Sequence, residues 1–263
     1  MYGSVAQAVG GDRVSVTSLI DDPAADPHSF EATPADTAKV AEARIVIANG
    51  GGYDDFVPKL VGATGVANQK VIDVVELSGL KPAGAQEFNE HVWYSVPTIE
   101  KLTTELVGDL TAADPSGADT FTANAAAFAT KLKELTAKTD AIAAAHKGER
   151  VAVTEPVPGY LIEAAGLTDA TPAEFAEAIE EDTDPPAAVL QETLALFGGS
   201  TPVRALIANV QTETPTTQQV ERAAQTGGGV PIVDVSETLP EGTTDYAAWM
   251  GAQIDALAAA LNA

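Results

Sequence analysis

The stretch 114–147 constrains the fold more than any other part of the chain. Its apolar residues recur at intervals of three, four or seven positions, which places them on one stripe of a single helix. These residues are Phe121, Ala125, Phe128, Leu132, Leu135 and Ile142. Asp114-Pro115-Ser116 is typical of a helix start, and Gly148 is typical of a helix end. A helix of about 30 residues is about 45 Å long, and because the sequence offers no bundle partner of similar length, we interpret it as a connector.

Short apolar runs alternate with helix-like segments on both sides of this stretch. The runs that we interpret as strands are 13–20, 44–49, 70–75, 151–154, 204–209 and 231–236. Strands that alternate with helices are typical of a mainly parallel sheet. We therefore predict an α/β protein with two lobes, each a mainly parallel sheet flanked by helices, joined by one long rigid connector helix. The predicted lobes are 1–114 and 148–263, and the predicted connector is 115–147.

Charge and composition exclude several classes of function. The chain has 14 Lys and Arg residues against 38 Asp and Glu residues, a net charge of −24, so we expect binding neither to nucleic acid nor to an anionic membrane surface. It has no cysteine, which excludes thiolate metal sites and disulfides. No apolar run reaches the roughly 18 residues of a membrane span. The sequence opens at Met1 inside a helix-like segment, so we expect that an upstream segment has been removed.

Two of the three histidines lie where a ligand site is expected. His28 follows the run 13–20, and His91 follows the run 70–75. Open α/β sheets bind ligands beyond the carboxyl ends of their parallel strands. An isolated loop histidine is commonly a solvated surface residue, although histidine is also the commonest metal ligand. His146 lies at the end of the long helix, where a histidine interacts favourably with the helix terminus and needs no further role.

Two acidic residues occupy equivalent positions in the second half. Glu155 follows the run 151–154 and precedes Pro156, which stiffens the turn, and Glu237 follows the run 231–236. Each is equally compatible with an exposed loop acid. Together, two histidines from one lobe and two carboxylates from the other could converge across a cleft. Such a set suits Mn²⁺, Zn²⁺ or Fe²⁺ and disfavours Cu⁺.

Six short motifs, in order around the long helix, carry a resemblance to a known family. They are Asp26-Pro27-His28-Ser29-Phe30-Glu31, Ala48-Asn49-Gly50-Gly51, Glu90-His91-Val92-Trp93-Tyr94, Thr154-Glu155-Pro156, Asn209-Val210-Gln211-Thr212 and Glu237-Thr238-Leu239-Pro240. Over essentially its whole length the chain resembles the zinc/manganese substrate-binding proteins of bacterial ABC importers, the TroA/ZnuA-like group of cluster A-I metal-binding lipoproteins. The resemblance implies two lobes joined by a single rigid helix, with the ion held between them.

The resemblance also implies a ligand set. The metal ligands of the first lobe fall on His28 and His91, and a position that varies between His and Glu falls on Glu155. The last ligand falls on Glu237, where the family more often has Asp, so Asp234 is the alternative. The chain departs from many zinc members in lacking a histidine-rich loop. We also expect a first strand and a lipidated cysteine upstream of Met1.

The resemblance implies a carrier and not an enzyme. We expect an extracytoplasmic protein, either periplasmic or a cell-surface lipoprotein anchored only through an N-terminal lipid, that captures Mn²⁺ or Zn²⁺ and delivers it to an ABC-transporter permease. Four protein ligands describe a closed site that holds an ion and does not activate water. The affinity should fall below roughly pH 6, because imidazole ligands must be deprotonated. We expect a monomer.

Three alternatives remain open at the sequence level. A metal-dependent hydrolase needs an open coordination position and a general base, and the sequence supplies no base motif. A surface adhesin or interaction protein is compatible with the same fold. A binder of organic solutes would line its cleft with aromatic residues, which make up only 5% of this chain.

Overall fold

The structure is a computed structural model that describes residues 1–20, 30–85 and 88–263. Its α-helices are α1 Tyr2–Gly10, α2 Pro34–Glu42, α3 Phe56–Thr64, α4 Val74–Ser78, α5 Val96–Ala113, α6 Ala118–His146, α7 Gly159–Ala164, α8 Ala173–Glu180, α9 Ala187–Ala195, α10 Pro215–Gly227 and α11 Tyr246–Leu261. Its strands are β1 Ile45–Ala48, β2 Lys70–Asp73, β3 Arg150–Val153, β4 Thr168–Asp169, β5 Leu206–Asn209 and β6 Ile232–Val235.

The chain divides into two compact units. Unit 1 comprises Met1–Lys133 and Glu241–Tyr246, and unit 2 comprises Glu134–Pro240 and Ala247–Ala263. The division falls inside α6, so each unit takes part of the long helix. The sequence-based division into two lobes and a separate connector at 115–147 stays a prediction.

In unit 1, strands β1 and β2 form a parallel pair in which Ile45 aligns with Lys70 and Ala48 with Asp73. The apolar residues of β1 pack with those of α2 and α3. The buried members of this cluster are Val40, Val46, Ala48, Val57 and Leu60. Because the two strands are parallel, Asn49, which follows β1, and Asp73, which ends β2, lie at the same edge of the sheet.

The run 13–20 does not form the predicted strand. Its backbone is extended at Val14, with φ −124° and ψ 152°, but no residue of 14–20 is assigned to a strand or pairs with one in the described part of the chain. The run packs instead along α1, where a Cβ on Gly3 would lie 2.9 Å from the Ser18 hydroxyl oxygen. The β-branched residues favour an extended backbone, but a strand also needs a hydrogen-bonding neighbour.

In unit 2, four parallel strands form a sheet in the order β4-β3-β5-β6. All four residues of the central strand β5 are buried, as expected for a parallel strand covered on both faces. Phe175, Ile179, Phe197, Leu206 and Val220 belong to the core cluster of this unit. The carboxyl ends of β3, β5 and β6 therefore lie side by side.

The long helix α6 runs over 29 residues, from Ala118 to His146. Five of its six stripe residues are buried and Ala125 is half-buried, which confirms the predicted one-faced helix. The structure also confirms the predicted fold class, an α/β protein with two parallel sheets flanked by helices and one long helix. Among the described residues, no helix combines the length and the hydropathy that are needed to cross a bilayer.

Candidate metal centre

The carboxylates of unit 2 lie at one edge of its sheet. Glu155 comes two residues after the end of β3, and Glu237 comes two residues after the end of β6. Asn209 is the last residue of β5, the strand between them. All three side chains are buried, with exposures of 2% for Glu155, 4% for Asn209 and 3% for Glu237. Asp234, the alternative to Glu237, lies within β6 and is exposed.

The side-chain amide of Asn209 joins the two carboxylates. Its Nδ2 donates to Glu155 Oε2 at 2.5 Å and to Glu237 Oε1 at 2.9 Å. The orientation of the amide is fixed, because the backbone N–H of Gln211 donates to the Asn209 Oδ1 atom at 3.1 Å and a backbone N–H can only donate. Sequence reasoning gave Asn209 no role, although a polar residue that ends an otherwise apolar central strand was a usable signal.

The loop that carries Glu237 is held by two further side chains. Gln211 Oε1 accepts hydrogen bonds from the backbone N–H groups of Glu237, at 2.6 Å, and Thr238, at 3.1 Å. The Ser236 hydroxyl donates to the carbonyl oxygen of Thr238, and it accepts a hydrogen bond from the Trp249 indole N–H at 3.1 Å. The position of the Glu237 carboxylate therefore depends on fixed hydrogen bonds at its backbone.

In unit 1, His91 is fully buried and its tautomer is defined by its neighbour. The Asn89 Oδ1 atom accepts from the His91 backbone N–H at 3.0 Å and lies 2.9 Å from His91 Nδ1. Since this atom accepts from a backbone donor, it is the amide oxygen, and His91 Nδ1 carries the hydrogen. In the neutral imidazole the lone pair is then on Nε2, the nitrogen through which this ring could ligate a metal ion.

Aromatic rings surround His91 within unit 1. The ring centroid of Trp93 lies 5.0 Å from that of His91, and the centroid of Tyr53 lies 5.9 Å away. Tyr2 packs edge-on against Trp93 with a centroid distance of 6.4 Å. Asn49 ties this cluster together, because it donates to the carbonyl oxygen of Glu90 at 3.0 Å and accepts from the Tyr2 hydroxyl at 2.5 Å. The aromatic rings fix the ring plane of His91 by packing.

The turn after β1 is held by a buried carboxylate. The backbone N–H groups of Asn49 and Gly50 donate to Asp54 at 2.7 and 2.8 Å. Burial raises the pKa of the Asp54 carboxyl, although these hydrogen bonds oppose the shift. Gly50 has φ +76°, and a side chain there would also collide with the Asp73 carboxylate. This turn therefore requires glycine, and it positions Asn49.

Of the other two histidines, His146 lies in the described part of the chain and His28 does not. His28 lies outside the described residues, and the first residue described after it, Phe30, packs on Phe56 with ring centroids 4.7 Å apart. His146 ends α6, and its Nδ1 lies 3.2 Å from Glu149 Oε2.

Each unit thus presents donors that suit a divalent transition metal. Unit 1 offers an imidazole nitrogen of His91, and unit 2 offers the oxygens of two carboxylates. Mixed nitrogen and oxygen ligands without thiolate are typical of Zn²⁺ and Mn²⁺ sites.

The chain is similar to several known metal-binding proteins. The manganese-binding lipoprotein MntA of Halalkalibacterium halodurans is 31% identical over 139 residues, which is 51% of this chain and 44% of that protein. The chain therefore matches less than half the length of this curated relative. Two solved structures share the fold. FpvC of Pseudomonas aeruginosa in complex with Mn²⁺ gives a TM-score of 0.78 at 21% identity, covering 99% of this chain and 95% of that chain. The periplasmic zinc-binding protein TroA of Treponema pallidum gives 0.76 at 20% identity, covering 98% and 96%.

A family model covers nearly the whole chain. The model described as "Zinc-uptake complex component A periplasmic" (ZnuA) matches residues 1–260. This match confirms the resemblance that the six motifs carried. The chain belongs to the ZnuA family of zinc-uptake complex component A periplasmic proteins.

Proposed function

We propose that this chain is the substrate-binding protein of a bacterial metal ABC importer. It captures Mn²⁺ or Zn²⁺ outside the cytoplasm and delivers the ion to a membrane permease. The observation that carries this proposal is the pair of buried carboxylates, Glu155 and Glu237, joined by one amide at the edge of the unit 2 sheet. The family is one of solute-binding proteins that are not enzymes.

The proposed ligands are His28, His91, Glu155 and Glu237. Support for His91 comes from its burial and from the hydrogen bond that directs its Nδ1 hydrogen to Asn89. Support for the two glutamates comes from their burial and shared partner, because two buried carboxylates are costly to desolvate without a cation. His28 rests on the motif Asp26-Pro27-His28 alone.

The ion is cargo, held and then released. Two imidazoles and two carboxylates would neutralise a divalent ion and fill a four-coordinate shell. The description of the family as periplasmic and of MntA as a lipoprotein supports a location outside the cytoplasm. We propose that the chain acts as a monomer, with the permease as its partner.

Metal content and affinity test the proposal. Protein purified without added metal is analysed for bound elements, and Zn²⁺ and Mn²⁺ are titrated by calorimetry into wild type, His28→Ala, His91→Ala and Glu155→Ala. We expect each ligand variant to bind on the order of a hundredfold more weakly than wild type, since even indirect partners of a metal ligand contribute ten- to a hundredfold. A pH series on wild type should show affinity falling below roughly pH 6.

Matched controls are available in the same chain. His146→Ala removes a histidine that is paired with Glu149, and Glu163→Ala removes an exposed acid. Both should bind metal as wild type does. Circular dichroism establishes whether His91→Ala and Glu155→Ala are folded. If the folded variants bind metal with wild-type affinity, the proposal is contradicted.

A further inference from the structure

The amide of Asn209 uses both of its hydrogens on the two proposed carboxylate ligands. A primary amide nitrogen has two hydrogens to donate, and Asn209 Nδ2 donates to one oxygen of Glu155 and one oxygen of Glu237. The engaged atoms are Glu155 Oε2 and Glu237 Oε1. Each of these oxygens keeps a second lone pair, but its hydrogen bond makes it the weaker metal donor, so the amide biases each carboxylate toward ligation through its other oxygen.

The amide cannot easily turn away from the carboxylates. Its oxygen accepts from the Gln211 backbone N–H, and the Asn209 backbone N–H donates to the Thr154 hydroxyl at 2.9 Å. Asn209 is buried and pairs with Val235 in the parallel register of β5 and β6. Rotation of the side chain would break hydrogen bonds between buried polar groups, which costs free energy. The amide is therefore a fixed part of the sheet edge.

The number of oxygens that a carboxylate offers affects which ion it suits. Zn²⁺ in closed protein sites is almost always four-coordinate and tetrahedral, which requires one donor atom from each of four side chains. Mn²⁺ suits oxygen-rich octahedral shells. A carboxylate that ligates with both oxygens adds donors toward six-coordination, whereas a carboxylate restricted to one oxygen does not.

We propose that Asn209 is a positioning residue that sets metal specificity by biasing Glu155 and Glu237 toward single-oxygen ligation, which favours four-coordinate Zn²⁺ over Mn²⁺. This inference rests on the proposed function of the same site. Asn209, an uncharged residue, would then influence which of the two cargo ions binds more tightly. Glu155 and Glu237 remain the ligands, and Asn209 acts through them.

The central test compares Asn209→Ala with wild type. Dissociation constants for Zn²⁺ and Mn²⁺ are measured by competition with a chelator, and the coordination number of bound Mn²⁺ is measured by X-ray absorption. We expect the ratio of Zn²⁺ to Mn²⁺ affinity to fall about tenfold, the size of effect typical of a side chain that hydrogen-bonds to a metal ligand. The Mn²⁺ coordination number should rise as the released carboxylates ligate with both oxygens.

Asn262→Ala is the matched control, because Asn262 is an exposed residue of the same unit and its side-chain amide donates to the carbonyl oxygen of Ala258. It should leave the affinity ratio unchanged. Asn209→Ser keeps one hydroxyl hydrogen and should give an intermediate ratio. An Asn209→Ala protein that weakens both ions equally, with an unchanged coordination number, would show a merely structural role and overturn the inference.

A measurement on wild type keeps the inference testable if Asn209→Ala fails to fold. The infrared carboxylate bands of the Zn²⁺-loaded protein separate single-oxygen from two-oxygen ligation. We expect single-oxygen bands, and two-oxygen bands would overturn the inference. Failure of wild type to bind either ion would instead refute the proposed function, so the two failures are distinguishable.

Discussion

The two units hold their candidate ligands in different ways, although each uses a buried asparagine at the edge of its sheet. In unit 1, Asn49 binds the backbone carbonyl beside His91, and the ring itself is oriented by Asn89 and by aromatic packing. In unit 2, Asn209 binds the carboxylates of Glu155 and Glu237 directly. A neutral ligand needs only orientation and the correct tautomer. Two carboxylates of like charge also need a donor between them.

This comparison predicts different consequences for stability and for metal specificity. Changes around His91 should alter the strength of metal binding without altering the choice of ion. Changes around Glu155 and Glu237 should alter the choice of ion, and they should also alter the stability of the metal-free protein.

Asn49→Ala should have the largest effect on stability. It removes the acceptor of the Tyr2 hydroxyl, and a buried group that loses its partner costs about 1–3 kcal/mol. It also removes one of the hydrogen bonds to the Glu90 carbonyl oxygen, which keeps the one from the Val92 backbone N–H. We expect the free energy of unfolding of the metal-free protein, measured in urea, to fall by about 3 kcal/mol. The exposed Asn262→Ala variant is the control. A loss no larger than in the control would show that Asn49 does not fix the His91 turn.

Asn89→Ala tests how the imidazole is held. The substitution removes the acceptor that keeps the hydrogen on His91 Nδ1, so a fraction of the rings would carry it on Nε2. We expect affinity for both Zn²⁺ and Mn²⁺ to fall roughly tenfold, with an unchanged ratio between them. Calorimetry with each ion measures this. A change in the ratio would contradict the division of roles between the two units.

Glu237→Gln should stabilise the metal-free protein while weakening its metal binding. It keeps the shape and the acceptor for Asn209, but it removes one of two buried like charges. We expect the free energy of unfolding to rise by about 1 kcal/mol, since functional sites commonly carry a stability cost of this order. Thermal unfolding with chelator present measures it. A lower melting temperature would mean that the two carboxylates do not repel each other in the metal-free protein.

The smallest expected changes in stability come from substitutions at the start of one helix in each unit, and one of these changes depends on pH. Thr33 and Asp36 form a capping box at α2, and Thr214 and Thr217 form one at α10. Hydrogen bonds from Thr33 lower the pKa of Asp36 from 3.8 to about 2. A carboxyl with a lowered pKa contributes stability above its unfolded pKa, and this contribution is lost as the pH falls through the folded pKa.

Asp36→Asn should therefore lower stability by about 0.5 kcal/mol at neutral pH, at the low end for a lost cap. The difference from wild type should disappear below about pH 2, where wild-type Asp36 is also protonated. Thr217→Ala should cost a similar amount that does not change with pH. Urea unfolding between pH 2 and pH 7 distinguishes them, and a pH-dependent loss in Thr217→Ala would count against this account.

Much of the fold was predictable because its signals are local. The apolar runs at 44–49, 70–75, 204–209 and 231–236 contain β1, β2, β5 and β6, and the run 151–154 overlaps three of the four residues of β3. The stripe from Phe121 to Ile142 identified α6. The prediction of a strand at 13–20 was wrong, because hydrogen bonding between strands depends on a neighbour elsewhere in the chain. The two-residue strand β4 was missed because it is too short to carry a pattern.

The candidate site was predictable only in part. Glu155 and Glu237 follow strands, so their position at the sheet edge could be inferred, and the structure finds both buried there. The role of Asn209 could not be inferred, because its partners are 54 and 28 residues away in sequence and are brought to it by the register of three strands. The metal ligand set itself remains a prediction that the variants test.

The sharing of one amide between two acids has a consequence for how this protein can change over generations. Substitutions at Glu155, Asn209 and Glu237 are coupled, because each alters what the others contact. A descendant that exchanges Glu155 for histidine inherits an amide hydrogen without its acceptor. We expect lineages to replace these three residues together, and the order in which they do so would record how the metal preference of the proposed site changed.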